Sequence, residues 1–370
     1  MSGICLACGG AALETVLDLG AMPAADWFPP VEQPYDPAEA GYPLAMLLCR
    51  GCGLAQLERD DTVTEEPRGV EPRALREQAA DAVARVAAAG LLRGRTVREF
   101  GSPHGGSWLD LLAARGFTAV DGITGGVADV VLDCFGLMHE RDQRAAFAQR
   151  AAATAPGGVL LVQYHPLHTI VGGDQWNALR HGHFAYYGLR VLRDMLSAAG
   201  LSVVRAWDFD LYGGTVLIAA VPGQARAGES VTRVLEREAT VSDPQVVRGL
   251  QRAADRQGAA LRAALEAEAA RGARVYAYGA ASRAVALLCR AGIDRALLAG
   301  VADASPAKQR RRMPGTDIPI ISPEHLVAAR PDRVLLTVPD LLAEVAERYP
   351  QLDGRWFGVD DAQPVAGRAL

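Results

Sequence analysis

The stretch "VREFGSPHGGSWLDLLAARG", Val97 to Gly116, reads as a short β-strand, a glycine turn from Gly101 to Gly106, and a helix. Such a turn lets a cofactor or a packed neighbour approach the backbone; without a full G-x-G-x-x-G spacing, both uses stay open. The same alternation runs from Arg95 to Val221, with apolar runs at "TVREF" (96–100), "TAV" (118–120), "ADVVLD" (128–133) and "GVLLVQY" (158–164). Strands alternating with helices imply a sheet covered by helices. "LSVVRAW" (201–207) and "TVLIAAV" (215–221) have no helix between them, which predicts an antiparallel edge pair on a mostly parallel sheet.

Outward from this centre, a helix is expected from about Pro72 to Leu92 and a polar helical connector from Asp243 to Arg271. Beyond the connector, "RVYAYGAASRAVALLCRAGI" repeats the order strand, glycine turn, helix, and "LLAGVAD" and "RVLLTVP" read as further strands. A second open α/β unit follows. A chain of 370 residues exceeds what one core serves, and the expected domains are 1–70, 71–222 and 223–370. The first 60 or so residues are rich in Pro, Gly and aromatics without a long amphipathic pattern, so a small loop-rich unit in need of a staple is expected there.

Half of the residues are apolar and 22% are charged, as in ordinary globular proteins. A net charge of −5 argues against a nucleic-acid partner found through a positive field. No apolar run reaches the ~18 residues of a membrane helix. "MSGICLACGG" lacks the basic end and apolar centre of a signal peptide, so a cytoplasmic location is expected.

Four of the six cysteines supply the staple. Cys5 and Cys8 lie in "CLACGG", Cys49 and Cys52 in "CRGCGL". Two C-x-x-C turns, each followed by glycine, make the four-thiolate shell that zinc prefers; the other readings are unrelated thiol pairs or a redox motif. Four protein ligands leave no open position, so the ion is expected to be structural. Between the knuckles lie Glu14, Asp18, Asp26, Glu32, Asp36 and Glu39, with no Lys or Arg until Arg50. That face does not suit phosphate.

"RHGHFAYYGLR", Arg180 to Arg190, sets two histidines one residue apart before an aromatic cluster. His165 and His168 precede them, and imidazoles in such company can bind metal, move a proton or simply pack.

The double knuckle, the turn after "VREF", "HGHF" and the tail "DASPAKQRRRMPGTDIPIISPEHL" (303–326) together resemble the three-domain nucleotide-sugar C-methyltransferases of deoxysugar biosynthesis, across nearly the whole chain. The resemblance implies a zinc-binding N-terminal domain, a central class I methyltransferase-like Rossmann domain for S-adenosylmethionine, and a Rossmann-like C-terminal domain for the nucleotide sugar. It implies proton removal beside a 4-keto group and methylation of the enolate, commonly at C3.

By the same resemblance His183 matches the base, His181 the histidine before it, and His139 in "GLMHERD" a histidine near cofactor and sugar. Arg180 and Gly182 replace the family's tyrosine and glutamate. Arg180, Tyr186 and Tyr187 are the candidate donors to the developing negative charge. Gly101, Ser102 and Gly105 fall on the cofactor turn, Gln163 stands where relatives carry glutamate, and Asp121 is the nearest acid for the ribose hydroxyls. Gly213 and Gly214 match a glycine pair.

Only about seven residues separate "TAV" from "ADVVLD", fewer than a crossover helix needs, so the cofactor domain is expected to be shortened. In the C-terminal unit Gly279, Ser282 and Arg283 sit where a strand-to-helix turn can meet a diphosphate, or merely pack tightly. "RRR" (310–312) reads as a solvated loop. Besides methyl transfer, two readings stay open: a cofactor-independent epimerase or isomerase on a related keto-sugar, and a non-catalytic binding protein on this scaffold.

Overall fold

The computed structural model describes residues 3–62, 70–101, 106–120 and 126–359. Three sheets follow one another along the chain. The first is antiparallel, in the order Leu13–Met22, Tyr42–Cys49, Ala55–Leu57, Ala185–Tyr186. The loop-rich expectation for the N-terminal region is therefore corrected: its staples close a sheet. Register shifts between Thr15 and Leu17 and between Asp18 and Ala21 break the period of two that would have announced the first strand.

The second sheet runs Thr118–Ala119, Thr96–Phe100, Ala128–Cys134, Thr154–Tyr164, Thr215–Pro222, Leu201–Phe209. Its first four strands are parallel, and Thr215–Pro222 runs antiparallel to both of its neighbours, as the edge pair predicts. Both faces are buried, which explains the unbroken apolar runs. Val130 and Leu132 pack with Ala79, Val83 and Val86 of helix Arg73–Ala88 on one side. Val131 turns to the other face, towards Phe147 of helix Gln143–Ala153 and Leu192 of helix Leu189–Ala198.

The third sheet is parallel throughout, in the order Ile320–Ile321, Val301–Ala302, Val275–Tyr278, Arg333–Leu336, Trp356–Phe357. The expected connector is more than a linker. Helix Gly249–Ala270 buries Leu250, Ala254, Leu261 and Leu265 in a core shared with Leu17 of the first strand and Leu288 of helix Ser282–Ala291.

Two arginines of the "RRR" run are a second correction, while Arg310 is exposed as expected. Arg312 is only 2% exposed and is paired with Glu39, with its Nη1 2.8 Å from Oε2, while Nε donates to the Gln33 carbonyl at 3.0 Å. Arg311 donates to the Phe28 carbonyl at 2.6 Å. These arginines stitch the C-terminal sheet region to the N-terminal one: Arg312 finds carbonyls and a carboxylate in the N-terminal loops, and Arg311 a carbonyl.

Candidate active site

The four cysteines converge. Their sulfurs all lie within 4.8 Å of one another, with Cys5–Cys52 at 3.5 Å and Cys8–Cys49 at 3.6 Å. Tetrahedral bonds of ~2.3 Å to zinc put sulfurs ~3.8 Å apart, so the donor set fits the ion. Gly9 (φ 75°) and Gly53 (φ 86°) take left-handed conformations that tighten the two turns. Gln56 braces the first knuckle, accepting from the Leu6 amide at 2.9 Å and donating to the Ile4 carbonyl at 3.2 Å. Gln56 also pairs with Ala185, so the centre is coupled through the sheet to the segment that follows the histidines.

That segment places "RHGHF" where the N-terminal sheet, the middle domain and the C-terminal unit meet. The Gly182 amide donates to Asp60 Oδ2 at 2.7 Å, and His181 Nε2 lies 3.1 Å from the Pro43 carbonyl. Burial alone would raise the Asp60 carboxyl; hydrogen bonds from Thr62 and Gly182 hold it below its ordinary value. Gly182 itself has φ 82°, which suits glycine and not the glutamate of the resemblance. Arg180 is buried and reaches all sides: Nε donates to His183 Nε2 at 2.7 Å, and Nη1 contacts Asp26 Oδ1 at 3.4 Å and hydrogen-bonds Ser282 Oγ. A guanidinium only donates, so the proton of a neutral His183 ring sits on Nδ1.

His139 joins from the turn after strand Ala128–Cys134. Its Nδ1 is 2.9 Å from the Gly182 carbonyl, and its ring stands edge-on to that of His183 with centroids 4.6 Å apart. A buried network fixes the turn: Asp133 accepts from the Gly136 and Leu137 amides at 2.8 and 2.9 Å, and Arg150 Nε donates to it at 2.9 Å. Tyr186 serves the loop as a brace, since its hydroxyl accepts from the Arg180 amide and lies 3.2 Å from the Ala178 carbonyl. Burial drives its phenol, and that of Tyr187, upward. Tyr187 hydrogen-bonds Gln143, away from the histidine pair.

The four neighbouring histidines are committed to four different partners. His168 pairs with Glu238 at 3.1 Å and His165 faces Arg283 at 3.2 Å, while His181 and His183 have the contacts above. Among the described residues, the cysteines form the single cluster of three or more candidate metal ligands.

On the cofactor side, Ser102, Gly105 and Asp121 lie outside the described residues. Gly101 ends strand Thr96–Phe100, next to Gly136 of the adjacent turn, where a Cβ would stand 3.2 Å from the Gly101 carbonyl. Gln163 is buried; its Nε2 donates to Gln78 Oε1 at 3.0 Å and to Thr215 Oγ1 at 3.2 Å. The amide nitrogen of Gln78, on helix Arg73–Ala88, is buried without a hydrogen-bond partner, so this donor suits a ligand that brings acceptors, as the carboxylate of S-adenosylmethionine does.

In the C-terminal unit Gly279 (φ 102°) is pressed against Thr337 and Val338, 2.7 Å from where a Cβ would lie. The adjacent Ala280 amide is taken by Asp303 Oδ2 at 2.8 Å, so that end of the turn is closed by the chain's own carboxylate. Ser282 and Arg283 instead face the middle domain. Arg283 reaches Gln175 at 3.4 Å and His165, and lies over the Tyr212 ring at 5.6 Å. Gly213 and Gly214 (φ 75° and 130°) follow that tyrosine. Burial raises the Asp340 carboxyl, opposed by Arg283 and by the Gly213 and Tyr212 amides.

Sequence reasoning missed Asp26, Asp60, His165 as a site residue and Asp340. The two N-terminal acids carry no spacing signal. His165 does have one: it follows the carboxyl end of a central parallel strand, where open α/β sheets bind ligands.

Three family models match in succession: "Putative zinc binding domain" at residues 5–65, "Methyltransferase domain" at 73–206, and "C-methyltransferase C-terminal domain" at 210–357. A similar curated protein is C-methyltransferase NovU of Streptomyces niveus, 28% identical over 201 residues, which is 53% of this chain and 48% of that one. The chain thus matches about half the length of that relative. Among solved structures, magnesium protoporphyrin IX methyltransferase ChlM of Synechocystis, with bound SAH, gives a TM-score of 0.32 at 18% identity over 41% of this chain and 85% of that one. The N-methyltransferase NodS of Bradyrhizobium japonicum, in complex with S-adenosyl-L-homocysteine, gives 0.31 at 13% identity, covering 40% of this chain and 88% of that one.

Proposed function

We propose, from the succession of zinc-binding, methyltransferase and C-methyltransferase C-terminal domain matches along the chain, that it methylates a carbon beside the 4-keto group of a nucleotide-linked deoxysugar, C3 being the expected position. The observation that carries this reading is the edge-on His139–His183 pair beside Arg180, with His183 and Arg180 buried among contacts from the N-terminal, middle and C-terminal regions, whose boundaries we propose near residues 70 and 222.

A proton beside a ketone is acidic because the enolate spreads charge onto oxygen, and a neutral imidazole removes it. His183 is the base. Its Nε2 lone pair accepts from Arg180, so the substrate's C–H must take that place. The displaced guanidinium, still held by Asp26 and Ser282, then stands beside the developing negative charge. His139 fixes the base from its edge through the Gly182 carbonyl. Arg283 and Ser282 face the same junction and suit the sugar's diphosphate.

S-adenosylmethionine, when bound, supplies an electrophilic methyl group. Gly101, Ser102, Gly105, Asp121 and Gln163 are the residues assigned to it, with the orphaned Gln78 amide as a further donor. Calorimetric titration with S-adenosylmethionine, with and without the sugar nucleotide, tests the reading. Saturable binding is expected, and none under either condition overturns it.

One observation favours a second reading. Strand Thr118–Ala119 is only two residues long, and strand Ala128–Cys134 begins after a short segment on the far side of Thr96–Phe100. A shortened cofactor side suits a cofactor-independent epimerase, which an inverted sugar product formed without S-adenosylmethionine identifies.

A further inference from the structure

His165 follows strand Thr154–Tyr164 and is 7% exposed. Arg283 Nη2 lies 3.2 Å from its Nδ1. Because a guanidinium has donors only, Nδ1 accepts and the proton of the neutral ring sits on Nε2. That Nε2 is buried and has no hydrogen-bond partner. The Tyr212 backbone, whose carbonyl accepts from Gln175 at 3.0 Å, also acts on the ring and favours its protonation against burial. A buried donor without an acceptor weakens a fold unless a ligand brings one.

His165 lines, with Phe135, Met138, Gln163 and Ala185, a cavity of about 10 Å³, which has room for one oxygen-sized group. Met138 immediately precedes His139, and Ala185 lies two residues beyond His183. Phe135 (φ 63°) and Tyr212 (φ 56°), both in the left-handed region, meet edge to face with ring centroids 6.0 Å apart. Such backbone strain persists where the surroundings over-determine it, and it clusters at functional sites.

We propose that the His165 Nε2–H is a catalytic hydrogen-bond donor that binds the ketone oxygen of the substrate and holds the enolate oxygen that replaces it. This rests on the keto-sugar reading above. In the step, the C–H bond beside the ketone breaks and its electron pair forms the enolate C=C bond. The carbonyl π pair moves onto oxygen, the proton passes to His183, and His165 keeps its own proton throughout. Burial, first, and then the Arg283 charge hold His165 protonation well below its ordinary range, so the donor is a neutral imidazole at neutral pH. Neutral donors of this kind avoid giving up a proton to the oxygen they stabilise.

The test uses the zinc-loaded full chain and a thymidine-diphosphate-linked 4-keto-6-deoxyglucose as probe, following exchange of the proton beside the ketone in heavy water by NMR. His165→Phe keeps the ring and removes the donor, and exchange is expected to fall ~10²–10³-fold. His165→Gln restores an N–H, and partial recovery is expected. The carbonyl stretch of bound probe should move to lower frequency in wild type and Gln but not in Phe. Nitrogen NMR of the unliganded protein should show a neutral His165 protonated at Nε2, a readout independent of how well the variants fold. Unchanged exchange and carbonyl stretch in His165→Phe, or a His165 protonated at Nδ1, overturns the proposal while leaving the keto-sugar reading intact. If wild type neither binds nor exchanges the probe, the keto-sugar reading fails and this inference falls with it.

Discussion

The zinc centre and the histidine loop differ in where their determinants lie. Two C-x-x-C turns define the first, and each turn is complete within a few residues. The second is a short segment braced also from far along the chain, by Asp26, Pro43 and Asp60 before it and by Ser282 after it. A local centre can hold a distant loop because strand Ala55–Leu57, just past the second knuckle, pairs with Ala185–Tyr186. The ion thus supports the site without touching the reaction.

Removing the metal is the largest perturbation of that contrast. Structural zinc contributes ~10–16 kcal/mol in small zinc domains. Chelation, or Cys49→Ser, should unfold the N-terminal sheet and abolish proton exchange beside the ketone, with one zinc per chain lost by elemental analysis. Retained exchange in the metal-free protein would break the link between the two regions.

Next is the proposed base. His183→Ala should lower exchange and methyl transfer ~10²–10⁴-fold in the folded fraction, because it deletes the proposed proton acceptor. Loss of the buried Arg312–Glu39 pair sharpens the comparison from the other side. Arg312→Ala leaves Glu39 without its guanidinium and should cost ~3–5 kcal/mol in denaturant unfolding, with activity preserved in the folded fraction.

The smallest effect belongs to Asp60. Its carboxyl is held below its ordinary value in the folded chain, so the stabilisation it gives the Gly182 amide is full above the unfolded value of ~3.9 and is lost as pH falls through the lower folded value. Asp60→Asn should abolish that acid-range dependence of Gly182 amide protection, measured by hydrogen exchange, and alter activity at neutral pH by no more than a few-fold.

What could be read from residues follows the same divide. The knuckles, the parallel strands and the antiparallel edge pair were legible because spacing and apolar period are local. The N-terminal sheet was not, because two bulges break the alternation in Leu13–Met22. Arg312 was misread as solvated because the Glu39 that buries it lies 273 residues away. His183 was singled out by the resemblance, but the engagement of its Nε2 by Arg180 is a product of three domains meeting. His165 gave a positional signal that a search for metal-ligand spacing passes over.

The central claim is that the loop held by the zinc sheet removes a proton beside a ketone so that the carbon can be methylated. The most direct measurement incubates the zinc-loaded chain with S-adenosylmethionine carrying a carbon-13 methyl and the thymidine-diphosphate 4-keto sugar, then takes the NMR spectrum of the product. The account predicts a labelled methyl bonded to the ring carbon beside the carbonyl, absent with His183→Ala. Sugar recovered unlabelled with its proton unexchanged would contradict it.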